Sequence, residues 1–387
     1  MAGWGVSSAA EAPLRIGLIA SEAAGADALA AGARSAVAEV NASGGIDGRP
    51  LHLVRAAPAR PWNGAGRISA LVFQQDLIAV IGPEDGATAH TVAQIATRRR
   101  VPVITLAAED SLTRALDPWV LRGVPDDETQ ALELLRFARD RGAGARLGLA
   151  VPPGRSGRER SRSLRRAAAV AGAQVACVFT PDAAAAALQT GELSCDAAQY
   201  DVLLLWLDAG PALELLELLD PNDLPQAILG STRLDDTGFA RALRELGASR
   251  AAGSVGSIEG RLLLPWLRSR SKSERDTPRS DAPLTERLGY DLLHAVADAA
   301  RRAGTAGLPL REALRQTGSF AGSTGPFAFD AAGNRTGPLD IAAWHRDGWV
   351  ALALDEHQNP RSSAPSRSTA VDDREWTAAG YASGRIP

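Results

Sequence analysis

Small and hydroxyl residues that open two predicted helices are the part of this sequence best suited to bind a ligand. Residues 154–157 (Gly-Arg-Ser-Gly) and residues 86–88 (Gly-Ala-Thr) each follow an apolar run and precede a helical pattern. Backbone N–H groups at the start of a helix attract anions, Arg155 would assist, and glycine lets a ligand approach the backbone closely. Each pattern is also typical of an ordinary turn between a strand and a helix, so neither defines a site alone.

Patterns of catalytic and metal-binding residues are absent from the sequence. There is no GxGxxG after a strand, no GxxxxGK[ST], no HExxH and no GxSxG, and the five histidines are scattered. Neither Cys177 nor Cys195 belongs to a CxxC pair or a His/Cys cluster. We therefore predict a binding protein without enzymatic activity, metal or cofactor. The two cysteines either form a disulfide in an oxidising compartment or remain free thiols.

Composition excludes several other classes of protein. The 387 residues are 45% apolar and 22% charged, and 42 basic against 45 acidic residues give a net charge of −3. Without a basic excess, no nucleic-acid partner is expected. Lys272 is the single lysine, which removes most lysine chemistry. No stretch reaches the roughly 18 apolar residues of a membrane span. The length predicts two domains or one large one.

Short apolar runs alternate with helical segments along most of the chain. This alternation predicts parallel βαβ units with buried strands, arranged in two α/β halves. A polar segment, 268–281, is predicted to be an exposed insertion, and the tail after residue 355 to lie on the surface. The predicted strands are 14–20, 51–55, 77–82, 101–105, 147–151, 174–179, 202–207, 226–229, 327–330 and 341–344. The predicted helices are 27–40, 65–74, 88–97, 128–141, 157–171 and 284–303.

A series of short motifs resembles one family. Residues 39–48 read Glu-Val-Asn-Ala-Ser-Gly-Gly-Ile-Asp-Gly. They resemble the Glu-x-Asn-Ala-x-Gly-Gly-Ile-x-Gly stretch of type I periplasmic substrate-binding proteins, relatives of the leucine/isoleucine/valine-binding proteins of ABC importers. Further matches follow in the family's order over residues 14–354. They are Val-Ile-Gly-Pro at 80–83, Val-Pro-Val-Ile-Thr at 101–105, Gly-Tyr-Asp at 289–291, Gly-Ser-Thr-Gly-Pro at 322–326, and Phe329, Asp330 and Gly333.

The resemblance implies an α/β fold of two Rossmann-like lobes, with parallel sheets joined by a three-strand hinge and a ligand in the cleft. In open α/β sheets, ligands bind outside the carboxyl ends of the strands, where loops of both lobes would face each other. The implied division is a flexible N-terminus, 1–13; lobe 1, 14–123 plus 255–339; lobe 2, 124–254 plus 340–354; and a surface tail, 355–387.

The residues that grip an amino acid in these relatives are changed in the first lobe. A Ser or Thr after the glycine turn helps to hold the ligand carboxylate in the family; Gly86 stands at that place, with Thr88 two residues along. The next loop usually carries a small-small-Thr run, and here it reads Ala107, Ala108, Glu109. An acidic side chain at this position would repel a carboxylate.

The second lobe departs from the family in a similar way. An aromatic residue that covers the ligand aligns near Ser156, and the acidic residue that grips the ammonium group aligns near Thr232, with Asp235 close by. The first loop, residues 21–25, is shorter than in the family. With these departures, the resemblance implies a ligand other than a simple aliphatic amino acid.

Acidic and aromatic residues suggest what the ligand could be. Glu22, Glu109 and Asp208 are expected to face a cationic or hydroxyl-rich ligand, and Trp206 or Trp62 to stack on an apolar or ring-shaped one. Alternatively, Trp206 is a core residue, Trp62 lies on the surface and Glu109 caps a helix. The predicted ligand-binding residues are Ser21, Glu22, Trp62, Gly86, Ala87, Thr88, Ala107, Ala108, Glu109, Arg155, Ser156, Trp206, Asp208, Thr232 and Asp235.

Two functions fit this sequence. The first is an extracytoplasmic, periplasmic solute-binding protein that captures a small molecule between the lobes and delivers it to the membrane permease of an ABC importer. It would act as a monomer, and its signal peptide would be absent from the sequence as written. The alternative is a sensor or regulator of the same fold that acts on a membrane or protein partner.

Overall fold

The structure is a computed structural model, and it describes residues 12–20, 25–56, 60–114, 119–179, 195, 197–250, 258–267, 282–316, 318–346 and 348–352. Within these ranges, the backbone alone is described for residues 25, 26, 60–64, 249 and 250. The predicted insertion at 268–281 and the predicted tail from residue 355 lie outside the described residues.

Five parallel strands form the first sheet, in the order β2-β1-β3-β4-β5. Their residues are short apolar runs, and most strands are buried because helices cover the sheet. The strands are β1 (Leu14–Ile19), β2 (Leu51–Ala56), β3 (Leu77–Ile81), β4 (Val103–Thr105) and β5 (Val120–Arg122). The helices that connect the first four are α1 (Gly25–Ala42), α2 (Arg60–Gln74) and α3 (Gly86–Arg99).

Seven strands form the second sheet, in the order β14-β13-β10-β9-β8-β6-β7. Its pairings are parallel except those of β13 with β10 and β14, which are antiparallel. The strands are β6 (Arg146–Ala150), β7 (Gln174–Phe179), β8 (Val202–Leu205), β9 (Ala227–Gly230), β10 (Leu262–Trp266), β13 (Asp340–His345) and β14 (Gly348–Leu352). The helices before and between them are α4 (Asp127–Asp140), α5 (Gly154–Val170), α6 (Ala209–Leu218) and α7 (Thr237–Arg250).

Helix α8 (Leu284–Ala303) packs against α1 and shares its apolar core, which includes Leu29, Leu292 and Val296. It is followed by α9 (Gly307–Gln316) and by a short antiparallel pair, β11 (Ala328–Phe329) and β12 (Arg335–Thr336). We call the first sheet with α8 and α9 the first lobe, and the part built on the second sheet the second lobe.

Two of the motifs that carried the family resemblance meet in space. The carboxylate of Asp291 in α8 accepts the backbone N–H of Ser323 at 2.8 Å and that of Thr324 at 2.7 Å, and both hydroxyls also donate to it. Asp291 is 3% exposed, so these bonds satisfy a carboxylate that burial would otherwise destabilise. The motifs at 289–291 and 322–326 therefore join α8 to the loop that follows α9.

The prediction of an α/β fold with two lobes and parallel sheets is confirmed. Each predicted strand and helix is present, with ends that differ by a few residues. Strand β10 corrects one implied boundary. It pairs with β9 and β13, so residues 262–266 belong to the second sheet, whereas the implied division placed them in lobe 1. Sequence reasoning also missed α6, α7 and α9.

Cys177 and Cys195 form a disulfide in the second lobe. Cys177 lies in β7 at the edge of the second sheet, and Cys195 is 1% exposed in the apolar core of that lobe. Of the two alternatives that the sequence left open, the structure shows the disulfide. The bond ties an edge strand to the core next to it.

Candidate functional site

The start of α3 and the loop after β4 lie side by side at one edge of the first sheet. Strands β3 and β4 are parallel neighbours, so the segments that leave their carboxyl ends emerge together. Asp85 caps α3 by accepting the backbone N–H of Thr88 at 2.8 Å. Glu109 reaches back to this helix, because a Cβ atom added to Gly86 would lie 2.0 Å from its Oε2. The Glu109 carboxylate thus fills the space that a side chain at position 86 would need.

An ion pair between Glu109 and Arg155 joins the two lobes. Arg155, in the first turn of α5, donates from Nη2 to Oε1 at 2.6 Å and from Nη1 to Oε2 at 3.1 Å. Two parallel bonds of this kind are stronger and more directional than a single contact. The Glu109 side chain is 10% exposed and that of Arg155 is 48% exposed. The carboxylate therefore belongs to the first lobe, and Arg155 of the second lobe binds it.

His90 and Ser111 complete the surroundings of the Glu109 carboxylate. The Ser111 hydroxyl donates to Oε1 at 2.6 Å, and Nε2 of His90 lies 3.0 Å from the same oxygen. Burial raises the pKa of Glu109, but the hydrogen bonds from Arg155, Ser111 and His90 outweigh it and lower the pKa below its ordinary value. We therefore expect the Glu109 carboxyl to be ionised at neutral pH.

A serine, a histidine and an acid in contact raise the question of a catalytic triad. In a triad, the histidine uses one ring nitrogen for the serine and the other for the acid. Here Nε2 of His90 faces both partners, at 2.9 Å from the Ser111 hydroxyl and 3.0 Å from Glu109. The Ser111 hydroxyl donates directly to the acid. The geometry holds the carboxylate in place and does not activate the serine.

A second group of charges surrounds Asp208, on the second lobe. Nη2 of Arg160 lies 3.6 Å from Oδ1 of Asp208, and Nη1 of Arg233 lies 3.5 Å from the same atom. Arg233 also donates to the backbone carbonyl of Glu84 in the first lobe, at 3.2 Å. Asp208 and Glu109, two of the acids expected to face a cationic ligand, therefore both have arginine partners in this structure.

Trp206 is a core residue in this structure, which corrects the expectation that it stacks on a ligand. It is fully buried, and its indole N–H donates to Oδ1 of Asp127 at 2.9 Å. Its backbone carbonyl accepts Nη1 of Arg160 at 2.7 Å. Burial raises the pKa of Asp127 to about 6, although Arg160, Arg233 and the indole N–H oppose the shift.

Thr232 and Asp235 lie in the second lobe, where both form hydrogen bonds with other residues of the protein. The backbone N–H of Thr232 donates to the side-chain carbonyl of Gln130 at 2.9 Å. Asp235 accepts a bond from Arg287 of α8 at 3.0 Å, and both side chains are buried. Asp235 therefore links the second lobe to the first at a place other than the Glu109–Arg155 pair.

The remaining predicted residues divide into three groups. Ala107 and Ala108 are buried beside Glu109, and the carbonyl of Ala108 accepts the N–H of Asp127 in the second lobe at 3.1 Å. Ala87 is exposed at the start of α3, and Ser156 is half-buried next to Arg155. Ser21, Glu22 and the side chain of Trp62 lie outside the described residues.

Sequence reasoning missed the arginines that cross between the lobes. Besides Arg233, Arg166 of α5 forms an ion pair with Asp110 of the first lobe, and the Ser163 hydroxyl donates to that same carboxylate at 2.6 Å. The signal was the arginine-rich face of α5. Such a face is usually solvated, and only its position opposite residues 109 and 110 gives it partners.

Within the described part of the chain, no group of three or more His, Cys, Asp or Glu side chains is placed to hold a metal ion. None of the helices there combines the length and apolar character that a membrane crossing requires.

Comparison with known proteins places the chain in a family. A family model described as periplasmic binding protein matches residues 13–348. The chain therefore belongs to the periplasmic binding protein family, and the resemblance inferred from its motifs is confirmed. No curated protein sequence matches it.

Solved structures show the same fold at low sequence identity. A leucine-bound ABC transporter substrate-binding protein from Desulfitobacterium hafniense has a TM-score of 0.69 and 19% identity, over 88% of this chain and 100% of that one. The isoleucine-bound substrate-binding protein LivJ from Streptococcus pneumoniae has a TM-score of 0.69 and 22% identity, over the same shares. A solute-binding protein from Rhodopseudomonas palustris in complex with 3,4-dihydroxybenzoic acid has a TM-score of 0.69 and 16% identity, over 88% and 96%.

Proposed function

We propose that this protein is an extracytoplasmic solute-binding protein that captures a small molecule between its lobes and delivers it to the membrane permease of an ABC importer. The observation that carries the proposal is the Glu109–Arg155 contact, which brings the loops beyond the carboxyl ends of the two sheets face to face. Ligands of open α/β sheets bind at such ends. Family membership and the ABC-transporter relatives support the same function.

The proposed ligand is not a simple aliphatic amino acid. The relatives above were solved with leucine, isoleucine and a hydroxylated benzoic acid, all of which carry a carboxylate. In this chain a protein carboxylate, that of Glu109, stands against the start of α3. A second carboxylate beside it would meet electrostatic repulsion in a partly buried site. The proposed ligand therefore lacks the carboxylate that the ligands of these relatives carry.

The disulfide supports a location outside the cytoplasm. Disulfides such as Cys177–Cys195 persist in oxidising compartments, which include the periplasm. A protein that closes on its ligand by hinge motion can act as a monomer and present the closed lobes to a permease. In this proposal the described residues of 14–123 and 284–339 form the first lobe, and those of 124–267 and 340–352, including β10, form the second.

A thermal-shift screen against a broad metabolite library tests the proposed capture of a solute. It should contain amino acids, polyamines, aromatic acids, amides, polyols and sterol-like lipids. A ligand at about 100 times its Kd adds about 2.7 kcal/mol of stability, which raises Tm measurably. We expect at least one saturable hit without turnover of the compound.

Two variants show whether a hit binds between the lobes. Arg233→Ala removes the side chain that contacts Asp208 and the Glu84 carbonyl, and it should weaken binding at least about tenfold, the equivalent of 1.4 kcal/mol. Arg244→Ala, at an exposed position of α7, is the matched control and should leave Kd unchanged. An empty screen would contradict solute capture and favour the sensor or regulator. Turnover of a hit would contradict a purely binding role.

A further inference from the structure

The Glu109 carboxylate lies against the start of α3. It stands so close to Gly86, the first residue of this 14-residue helix, that no Cβ atom fits between them. The exposed N–H groups and the dipole at a helix start stabilise negative charge. The carboxylate is attached to the chain itself, so it is present at this place before any solute arrives.

The partners of this carboxylate are those that a bound acid would need. Arg155 grips both oxygens from the second lobe, Ser111 donates a hydrogen bond, and Nε2 of His90 lies within hydrogen-bond distance. Glu109 is 9% exposed, so its partners have largely replaced water. An acid with a complete set of partners leaves little for a second carboxylate to bind.

We propose that Glu109 is a tethered carboxylate ligand of the cleft, on which the two lobes close, so that the solute bound beside it is uncharged. The inference rests on the proposed function, because it concerns the ligand of the same cleft. In this proposal the protein itself supplies the carboxylate of the cleft. The molecule that it captures is therefore uncharged, and either polar or apolar. Arg155 is the residue that recognises the tethered acid.

Chemical rescue tests this assignment. Glu109→Ala removes the tethered acid and leaves space beside Gly86, Arg155 and Ser111. We expect propionate or benzoate to raise the Tm of this variant saturably, by about 2 °C more than equal concentrations of sodium chloride or propionamide. Wild type should not respond. Neither should the control Glu133→Ala, which breaks an exposed Glu133–Arg136 pair within α4.

Two further variants link the rescue to the geometry. Glu109→Gln fills the same space with a neutral amide, so it should not bind propionate. Glu109→Ala combined with Arg155→Ala should bind propionate at least tenfold more weakly than Glu109→Ala alone, because the gripping guanidinium is gone. If Glu109→Ala does not fold, Glu109→Ser provides the same opening and is tested in the same way.

The inference is overturned if the folded cavity variants show no saturable response to carboxylates, or if wild type responds as strongly as they do. It is also overturned if the wild-type screen yields a carboxylate that competes with rescue. An uncharged wild-type ligand without rescue in Glu109→Ala contradicts this inference alone. Rescue without any wild-type ligand contradicts the proposed function alone.

Discussion

Asp127 has a buried carboxyl group, and its burial destabilises the charged form of that group. It lies at the start of α4, 3% exposed, and accepts one hydrogen bond from the Trp206 indole. Burial raises its pKa from 3.8 to about 6, and the nearby arginines reduce the shift without cancelling it. Between these two pH values the folded state binds more protons than the unfolded state. The contribution of Asp127 to stability therefore falls as pH rises from about 4 to about 6.

The substitution Asp127→Asn should remove this pH dependence. Asparagine can still accept the indole N–H but carries no charge at any pH. Relative to wild type, the free energy of unfolding of the variant should increase by about 2–3 kcal/mol between pH 4 and pH 7. Urea unfolding at pH 4, 5, 6 and 7 measures the difference. Asp298→Asn, at an exposed ion pair of α8, is the control. Parallel stability curves for wild type and Asp127→Asn would contradict the shifted pKa.

Gly86 and Glu109 should be energetically coupled. In Gly86→Ala the new Cβ atom would stand 2.0 Å from Oε2, so Glu109 must swing away and lose its bonds to Arg155. We expect a loss of about 1–2 kcal/mol in wild type. In a Glu109→Ala background the same change should be neutral or slightly stabilising, since alanine favours the helix.

A double-mutant cycle measures this coupling by urea unfolding of the wild type, both single variants and the double variant. We expect an interaction energy of about 1 kcal/mol or more. Additive effects of the two substitutions would show that the Glu109 side chain does not depend on the space beside Gly86.

At the scale of elements, the close packing of α1 on α8 depends on two glycines. A Cβ atom on Gly289 would lie 2.3 Å from the backbone carbonyl oxygen of Leu29, and one on Gly32 would lie 1.8 Å from that of Glu286. Backbone atoms cannot move aside as a side chain can. Helix packing thus explains why the family-like Gly-Tyr-Asp motif has a glycine at position 289. Asp291 of the same motif binds the loop at residues 323 and 324.

The substitution Gly289→Ala should force the two helices apart. We expect a loss of about 1–3 kcal/mol from this overpacking, and a similar loss for Gly32→Ala. The matched control is Gly66→Ala in α2, where no atom lies within 4 Å of the new Cβ atom. This control should gain about 0.5–1 kcal/mol from helix propensity. Equal effects of the three substitutions in urea unfolding would refute the packing explanation.

At the scale of the whole described structure, charged side chains of the second lobe reach the first at several places. Arg155 and Arg166 of α5 contact Glu109 and Asp110, and Arg233 contacts the carbonyl of Glu84. Burial raises the pKa of Asp110, but Ser163 and Arg166 oppose the shift, so this acid also depends on the second lobe. These contacts between the two lobes are made by polar and charged groups.

Removing two of these arginines should therefore separate the lobes. In the double variant Arg155→Ala/Arg166→Ala, the distance between spin labels at Arg98 in α3 and Arg158 in α5 should lengthen and its distribution broaden. The control Arg136→Ala/Arg162→Ala breaks two exposed pairs within single helices and should change neither. Pulsed electron paramagnetic resonance measures the distance between the two labels in each variant. Identical distributions in the two variants would show that these ion pairs do not hold the closed arrangement.

Local sequence patterns sufficed to predict most of the fold. Buried strands such as β3 and long helices such as α8 are visible because their hydrophobic periodicity depends on few neighbours. Helix α7 was missed although Phe239, Leu243 and Leu246 recur in its sequence at helical spacing. Strand β10 was assigned to the wrong lobe because strand pairing depends on distant partners, here β9 and β13.

The candidate site was less predictable than the fold. Sequence alone determined the family resemblance, the altered residues at Gly86 and Glu109, and the lack of known catalytic motifs, because these depend on residue type and order. Tertiary structure alone decided that Arg155 neutralises Glu109, that Asp208 has arginine partners, and that Trp206 is buried. Charge pairing and burial depend on which residues of the two lobes face each other, and residues 46 apart in sequence, such as 109 and 155, meet only when both sheets are in place.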